Sequence, residues 1–338
     1  MRQAVLTAPG TIVYQDVPEP AAGPGEALLR IKRIGICGSD VHAYHGRHPF
    51  MLYPKVQGHE FCAIVEAVGE GVEGVAVGAK ATARPQLICG ACAPCRRGDY
   101  HICDNLKVFG FQTDGVGQDL FAVAADKLVP LPDEFTFEQG AFVEPAAVAV
   151  HATTRAGNMA GKNVVVLGAG PIGNLVAQMC RARGANVLVT DLSDDRLRVA
   201  KKCAIPAVSN AATEPLAEAS KRVFGEEGFD VAFECAGAEA AVSDAVAHVS
   251  KGGTIVVVAV FHEKPPMDLA VIGDRELDLI GALMYRHRDY EEAVRRIGAG
   301  QIITKPLESR HFPFDQWPDA YPYIAAQGAR TMKVFIDL

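Results

Sequence analysis

From residue 163 to residue 283 short apolar runs alternate with segments of helical periodicity, and this alternation restricts the fold more than any other feature. The runs at 163–168, 186–191, 207–209, 230–235, 254–260 and 277–283 are strand-sized, and 172–182, 194–202, 215–224 and 239–250 carry the helical pattern. Strands that are apolar throughout, each followed by a helix, indicate a parallel sheet covered on both faces. Six strands in two halves predict an α/β, doubly wound nucleotide-binding domain. The turn after the first strand reads Gly168-Ala-Gly-Pro-Ile-Gly173. Gly168 allows the tight turn, Gly170 a close approach of backbone to pyrophosphate, and Gly173 close packing of helix on strand. The phosphates would sit on the free N–H groups of the helix N-terminus, and Pro171 and Ile172 in its first turn belong to the expected cofactor-binding set. Asp191 ends the second strand, 18 residues after Gly173. A carboxylate there binds the ribose hydroxyls of NAD and repels the extra phosphate of NADP, while Arg196 can pair with that phosphate or stack on the adenine. The expected cofactor is NAD, with Val258 and Val260 completing the binding set.

Residues 1 to about 140 have a different texture. Leu29 and Ile31 alternate with Arg30 and Lys32, 61–68 reads as a second strand, and glycine and proline punctuate densely. A length of 338 residues suits two domains. Forty acidic against 33 basic residues give a net charge of −7, which argues against a nucleic-acid surface. No apolar run reaches the roughly 18 residues of a membrane helix, and the N-terminus lacks a secretory core. A cytoplasmic protein is expected, in which the nine cysteines are not disulfides.

Cys89, Cys92, Cys95 and Cys103 are spaced C-x2-C-x2-C-x7-C. Four close thiolates complete a tetrahedral zinc shell with no open position, so this metal is expected to be structural; an iron–sulfur cluster is the rival reading. Cys62, Cys180, Cys203 and Cys235 lie in apolar patterns and are expected to be buried thiols. Elsewhere Cys37 (in Gly-Ile-Cys-Gly-Ser-Asp), His59 and Glu60 (in Gly-His-Glu) and Glu144 (in Glu-Pro) offer a thiolate, an imidazole and carboxylates. With a water in fourth place these make an open catalytic zinc shell, although spacing alone cannot assemble them.

Taken together, the GxCGSD cysteine, the GHE motif, the four-cysteine segment, the EP segment, GAGPIG and the Asp191–Arg196 turn resemble the medium-chain zinc-dependent dehydrogenases, most of all their sorbitol (polyol) branch. The resemblance covers essentially the whole chain. It implies a GroES-like β-rich catalytic domain over 1–150 with the structural zinc lobe at 89–103, a Rossmann domain over 151–287, and a C-terminal return to the catalytic domain over 288–338. It implies a catalytic zinc bound by Cys37 and His59 with a carboxylate from Glu60 or Glu144. Adjacent side chains seldom bind one ion without strain, so the two glutamates are expected to exchange or to act through water. Ser39 and His42 match the family's proton relay. The implied reaction is hydride transfer from a secondary alcohol to NAD, with zinc as Lewis acid.

Departures from the family pattern bear on the substrate. The tyrosine that follows the relay histidine in sorbitol dehydrogenases is Ala43 here, with Tyr44 next. Their Phe-Arg-Tyr segment aligns with Leu283-Met-Tyr285, and Arg286, His287 and Arg288 follow. These changes point away from sorbitol itself. The stretch from His48 to Pro54 is similar to bacterial hexonate dehydrogenases, and Arg47, Lys55 or Arg286 would suit a substrate carboxylate. L-Threonine 3-dehydrogenase and 2,3-butanediol dehydrogenase share parts of the pattern and stand as alternatives. A non-catalytic NAD-binding sensor or scaffold and a zinc-free quinone-type reductase are the readings outside this class. Relatives are commonly homodimers or homotetramers, and the 277–283 strand is the candidate for pairing across subunits.

Overall fold

The structure is a computed structural model and describes residues 1–261 and 263–338. It divides into two compact units. The first comprises residues 1–144, 286–298 and 308–338, and the second residues 145–285 and 299–307.

The first unit is built on a β-sheet whose strands run in the order Leu128–Pro130, Lys80–Ala83, Glu60–Val68, Glu26–Gly35, Lys333–Asp337 and Glu308–Pro313. Leu120–Ala124 also pairs with Glu26–Gly35. The alternation read from the sequence holds at the centre: Leu29, Ile31 and Ile34 of Glu26–Gly35 are buried in a core shared with Phe61, Val65, Phe121 and Val334. Two registers matter for function. Gly35 lies opposite Glu60, and Gly35 also lies opposite Phe335. The ends of three strands from distant parts of the chain therefore meet at one place.

Two C-terminal elements are not among those read from the sequence. Glu308–Pro313 pairs in parallel with the last strand, and Trp317–Gln327 is a helix. The helix contains Pro318 in its first turn and Pro322 in its interior. First-turn N–H groups have no intrahelical acceptor, so a proline there costs nothing; an interior proline normally ends a helix, which hides this one. Burial of Trp317, Ala320 and Tyr321 in the core stabilises it nonetheless.

The second unit holds a six-stranded sheet in the order Ala207–Asn210, Asn186–Asp191, Asn163–Leu167, Val231–Glu234, Thr254–Val257 and Asp278–Gly281. All its pairings are parallel. The strand order reverses beside Asn163–Leu167, so the glycine turn that follows lies at a topological switch point. Thr254–Val257 stops three residues short of the predicted end. Val258 and Val260 thus lie beyond the strand, where the N–H groups of Val258 and Ala259 donate to the carbonyl of Glu234. Residues 299–307 belong to this unit, because the Gln178 side chain pairs with both backbone groups of Ile303. No described helix is long and apolar enough to cross a membrane.

Candidate active site

The register of the first sheet builds a cluster that sequence spacing could not. Cys37 follows the end of Glu26–Gly35 and precedes the short helix Gly38–Tyr44; Glu60 opens the strand opposite and His59 immediately precedes it. The ligand atoms of Cys37, His59 and Glu60 lie within 4.8 Å of one another. His59 is 5% and Glu60 1% exposed. Glu144, in the first turn of helix Val143–Arg155, is also buried and raises the proton affinity of His59 and Lys333, though it is not part of this tight group. Ser39 and His42 lie three apart on Gly38–Tyr44, hence on one face, and both are half-buried.

Two residues that the sequence reading passed over complete the cluster. Asp40 is buried; its Oδ2 accepts the Cys37 N–H at 2.9 Å and its Oδ1 faces His59 Nδ1 at 3.7 Å. Neither Asp40 Oδ1 nor His59 Nδ1 has a hydrogen-bond partner among the described residues. Lys333, at the start of the last strand, donates from Nζ to both carboxylate oxygens of Glu60, at 2.8 and 2.6 Å, and to the carbonyl of Ile36 at 3.3 Å. Nothing local in the sequence marks Lys333, which reads as the polar edge of an apolar strand. Burial pushes the His59 pKa down, but the negative charge of Asp40, Cys37 and Glu144 outweighs it and leaves His59 well above the usual histidine range. These residues therefore draw a positive charge to their centre, as a cation site requires.

Around the cluster, His48 stacks on Phe111, with centroids 4.4 Å apart, and Phe111 packs against His59. Burial, aided by His42 and His59, lowers the His48 pKa, which favours its neutral form. Of the basic residues weighed for a substrate carboxylate, Arg286 is paired with Asp99 at 2.5 Å and Lys55 lies 3.6 Å from Asp114. Arg47 is exposed, and its N–H donates to the His42 carbonyl at 2.8 Å.

The four-cysteine segment closes on itself in the same unit. The Cys103 sulfur lies 3.5 Å from that of Cys89 and 3.8 Å from that of Cys92, and all four sulfurs fall within 4.8 Å. Bonds of about 2.3 Å in a tetrahedron require sulfur–sulfur edges of about 3.8 Å. Backbone N–H groups of Cys89, Cys92 and Asn105 point at these sulfurs, which suits thiolates. All nine cysteines are free. Cys62, Cys180 and Cys203 are buried; burial pushes the Cys62 and Cys203 thiols up to about 12, so they are poor nucleophiles. Cys235 is half-buried, against expectation, because it follows the end of its strand beside Gly173.

In the second unit the three glycines of the turn differ in what they avoid. A Cβ on Gly168, which has φ +101°, would meet the Ala236 backbone at 3.0 Å; one on Gly173 would lie 1.9 Å from the Gly168 carbonyl oxygen. A Cβ on Gly170 would meet nothing within 4 Å. Gly168 and Gly173 thus serve the protein's own packing, whereas Gly170 leaves open space before helix Pro171–Ala182. Asp191 accepts the Ala169 N–H at 2.7 Å and the Ser193 N–H at 2.8 Å, and lies 3.7 Å from Arg196. It therefore ties the glycine turn to the second strand and keeps acceptor capacity to spare. Glu234, also missed, is buried and binds the N–H groups of Ala236 and Gly237, shaping the loop against which Gly168 packs.

Two family models match the chain: the alcohol dehydrogenase GroES-like domain over residues 23–133 and the zinc-binding dehydrogenase model over residues 171–299. A 2-dehydro-3-deoxy-L-galactonate 5-dehydrogenase of Pseudoalteromonas atlantica is 40% identical, over 86% of this chain and 85% of its own. The chain belongs to the medium-chain zinc-dependent dehydrogenases. Among members of this polyol branch, a sorbitol dehydrogenase of Bacillus subtilis is 30% identical over 99% of this chain and 97% of its own. A zinc-binding dehydrogenase structure from Sinorhizobium meliloti, solved with NADP, superposes with a TM-score of 0.93 at 31% identity, covering 100% and 99% of the two chains.

Proposed function

We propose that this dehydrogenase oxidises a secondary alcohol of a polyol or sugar acid, using NAD. The convergence of Cys37, His59 and Glu60 in a buried, negatively charged cluster carries the reading. Bound zinc supplies Lewis acidity at the substrate oxygen, and bound NAD the hydride acceptor. Cys37 and His59 would hold the metal, and Asp40 faces the His59 ring from behind at 3.7 Å. Glu60 or Glu144 completes the protein ligands. Lys333 offsets the charge of Glu60, so that two carboxylates and a thiolate are tolerated in one buried place. The substrate proton leaves through the Ser39 hydroxyl and the His42 ring, an imidazole being the side chain suited to exchanging protons with solvent. Asp191 accepts the ribose hydroxyls, and Arg196 borders the adenine side. A second, structural zinc fills the Cys89, Cys92, Cys95 and Cys103 shell.

Arg47 is the candidate for reading a substrate carboxylate, since it follows His42 closely in the chain and is exposed, whereas Arg286 is paired with Asp99. The 40% identity to a hexonate dehydrogenase supports the sugar-acid side of the proposal. The test is NADH formation on a panel of polyols, hexonates, L-threonine and 2,3-butanediol. Turnover confined to polyols or hexonates supports the proposal. Turnover on L-threonine or the butanediol would replace the substrate class, and an inert panel with zinc and NAD both bound would overturn the polyol and sugar-acid class.

Two further predictions arise here. Gly170→Val should leave the melting temperature near wild type, because its Cβ meets no protein atom, yet weaken NAD binding by at least about tenfold by filling the phosphate approach. Titration calorimetry decides it; wild-type NAD affinity would remove the glycine turn from the cofactor site. We also propose a homodimer or homotetramer in the cytoplasm, paired along Asp278–Gly281. This strand closes one edge of its sheet, with Leu279 45% and Leu283 55% exposed beside it. Leu279→Lys should shift the mass measured by light scattering to a smaller species; an unchanged mass would place the interface elsewhere.

A further inference from the structure

The C-terminal helix Trp317–Gln327 reaches the metal cluster through a buried chain of polar contacts. The Tyr321 hydroxyl accepts the Trp317 Nε1–H at 3.3 Å and donates to Gln57 Oε1 at 2.7 Å. Gln57 Nε2 in turn donates to the Asp40 carbonyl at 3.2 Å. Tyr321, Gln57 and Asp40 are all buried. The Tyr321 ring also stacks on Tyr44, with centroids 4.0 Å apart and planes 6° from parallel. Tyr44 and Asp40 both belong to Gly38–Tyr44, the helix that Cys37 precedes and that carries Ser39 and His42. Gln57 lies two residues before His59 and is itself anchored, its carbonyl accepting the Gly117 N–H at 2.9 Å.

Cys37 and His59 come from two separate segments, and their separation must be fixed to within tenths of an ångström to bind one ion. Backbone pairing ends at Gly35 opposite Glu60, so beyond that point the ladder no longer sets the spacing. The Gln57 amide spans the gap: its backbone belongs to the His59 segment and its side chain holds the Cys37 helix. Its other end would be a buried, unpaired carbonyl without the Tyr321 hydroxyl. We propose that Tyr321, acting through Gln57, is a positioning residue that sets the distance between Cys37 and His59 and so tunes the affinity of the site for its metal.

This inference rests on the metal reading of the cluster. The test uses full-length protein with the four-cysteine site left filled by zinc and the second site emptied by brief chelation, then titrated with cobalt(II). Tyr321→Phe keeps the ring stack on Tyr44 and removes only the hydroxyl. It should weaken cobalt binding about tenfold, within the range seen when outer-shell partners are removed, and shift the visible cobalt and thiolate-to-cobalt absorption. Gln57→Leu should do at least as much. The double variant should be no worse than Gln57→Leu alone, because Tyr321 acts through that amide. A lowered melting temperature with wild-type cobalt affinity and spectrum would reduce Tyr321 to a core residue and overturn the inference. Losses that multiply in the double variant would overturn the route through Gln57. Wild-type protein that takes up no cobalt at the second site would instead overturn the functional reading.

Discussion

Replacing Cys37 by serine is expected to abolish turnover while leaving NAD affinity and the melting temperature close to wild type. A hydroxyl is a far weaker zinc ligand than a thiolate, and only His59 and the carboxylates would remain. If the metal supplies several kcal/mol of transition-state stabilisation, its loss lowers kcat by about a thousandfold or more. Bound zinc should fall from two ions per chain to one, the four-cysteine shell being untouched. Elemental analysis and steady-state NADH formation measure both effects on one preparation. A fully active Cys37→Ser protein would remove this cluster from the chemistry.

The second large effect concerns Lys333. Its ammonium has three donors, and two carboxylate oxygens and a backbone carbonyl take them all. The ion pair is almost wholly withdrawn from solvent, with side chains 4% and 2% exposed. Lys333→Met would leave the Glu60 carboxylate buried beside Cys37 and Glu144 with its cation removed. Breaking one side of such a pair costs about 3–5 kcal/mol. Urea unfolding of the chelated variant should show that loss. Saturating zinc should recover part of it, since a divalent cation then offsets the same charge. Replacing both partners, as Lys333→Met with Glu60→Leu, should recover most of the stability without metal. A loss below about 1 kcal/mol in the chelated single variant would show that the pair does not carry the cluster's charge balance.

These two residues mark the limits of what the sequence makes legible. Cys37 was recognisable through its motif, but its partnership with His59 and Glu60 was not a matter of spacing. It depends on the register that sets Gly35 opposite Glu60, a tertiary fact. The parallel sheet, the glycine turn and the four-cysteine shell were readable because each is written in one local stretch: apolar runs between helices, Gly168 to Gly173, and Cys89 to Cys103. Lys333 lies 273 residues from Glu60 and Tyr321 264 residues from Gln57, and neither carries a local signature. Pro318 and Pro322 disguised the helix holding Tyr321. Arg286, weighed as a substrate anchor, is instead paired with Asp99 of the zinc lobe, and its neighbour His287 donates its backbone N–H to Tyr100. Charge in a sequence shows that a group exists, not which acid has already neutralised it.

The most direct test of the account is to remove and restore the metal while following turnover. Protein chelated until only the four-cysteine zinc remains should form no NADH with the substrate that the panel identifies. Activity should return in proportion to added zinc and saturate at one restored ion per chain, and Cys37→Ser protein should recover nothing. Full turnover in the chelated protein, or recovery in the Cys37→Ser protein, would contradict the assignment of Cys37, His59 and the neighbouring carboxylates as the catalytic metal site.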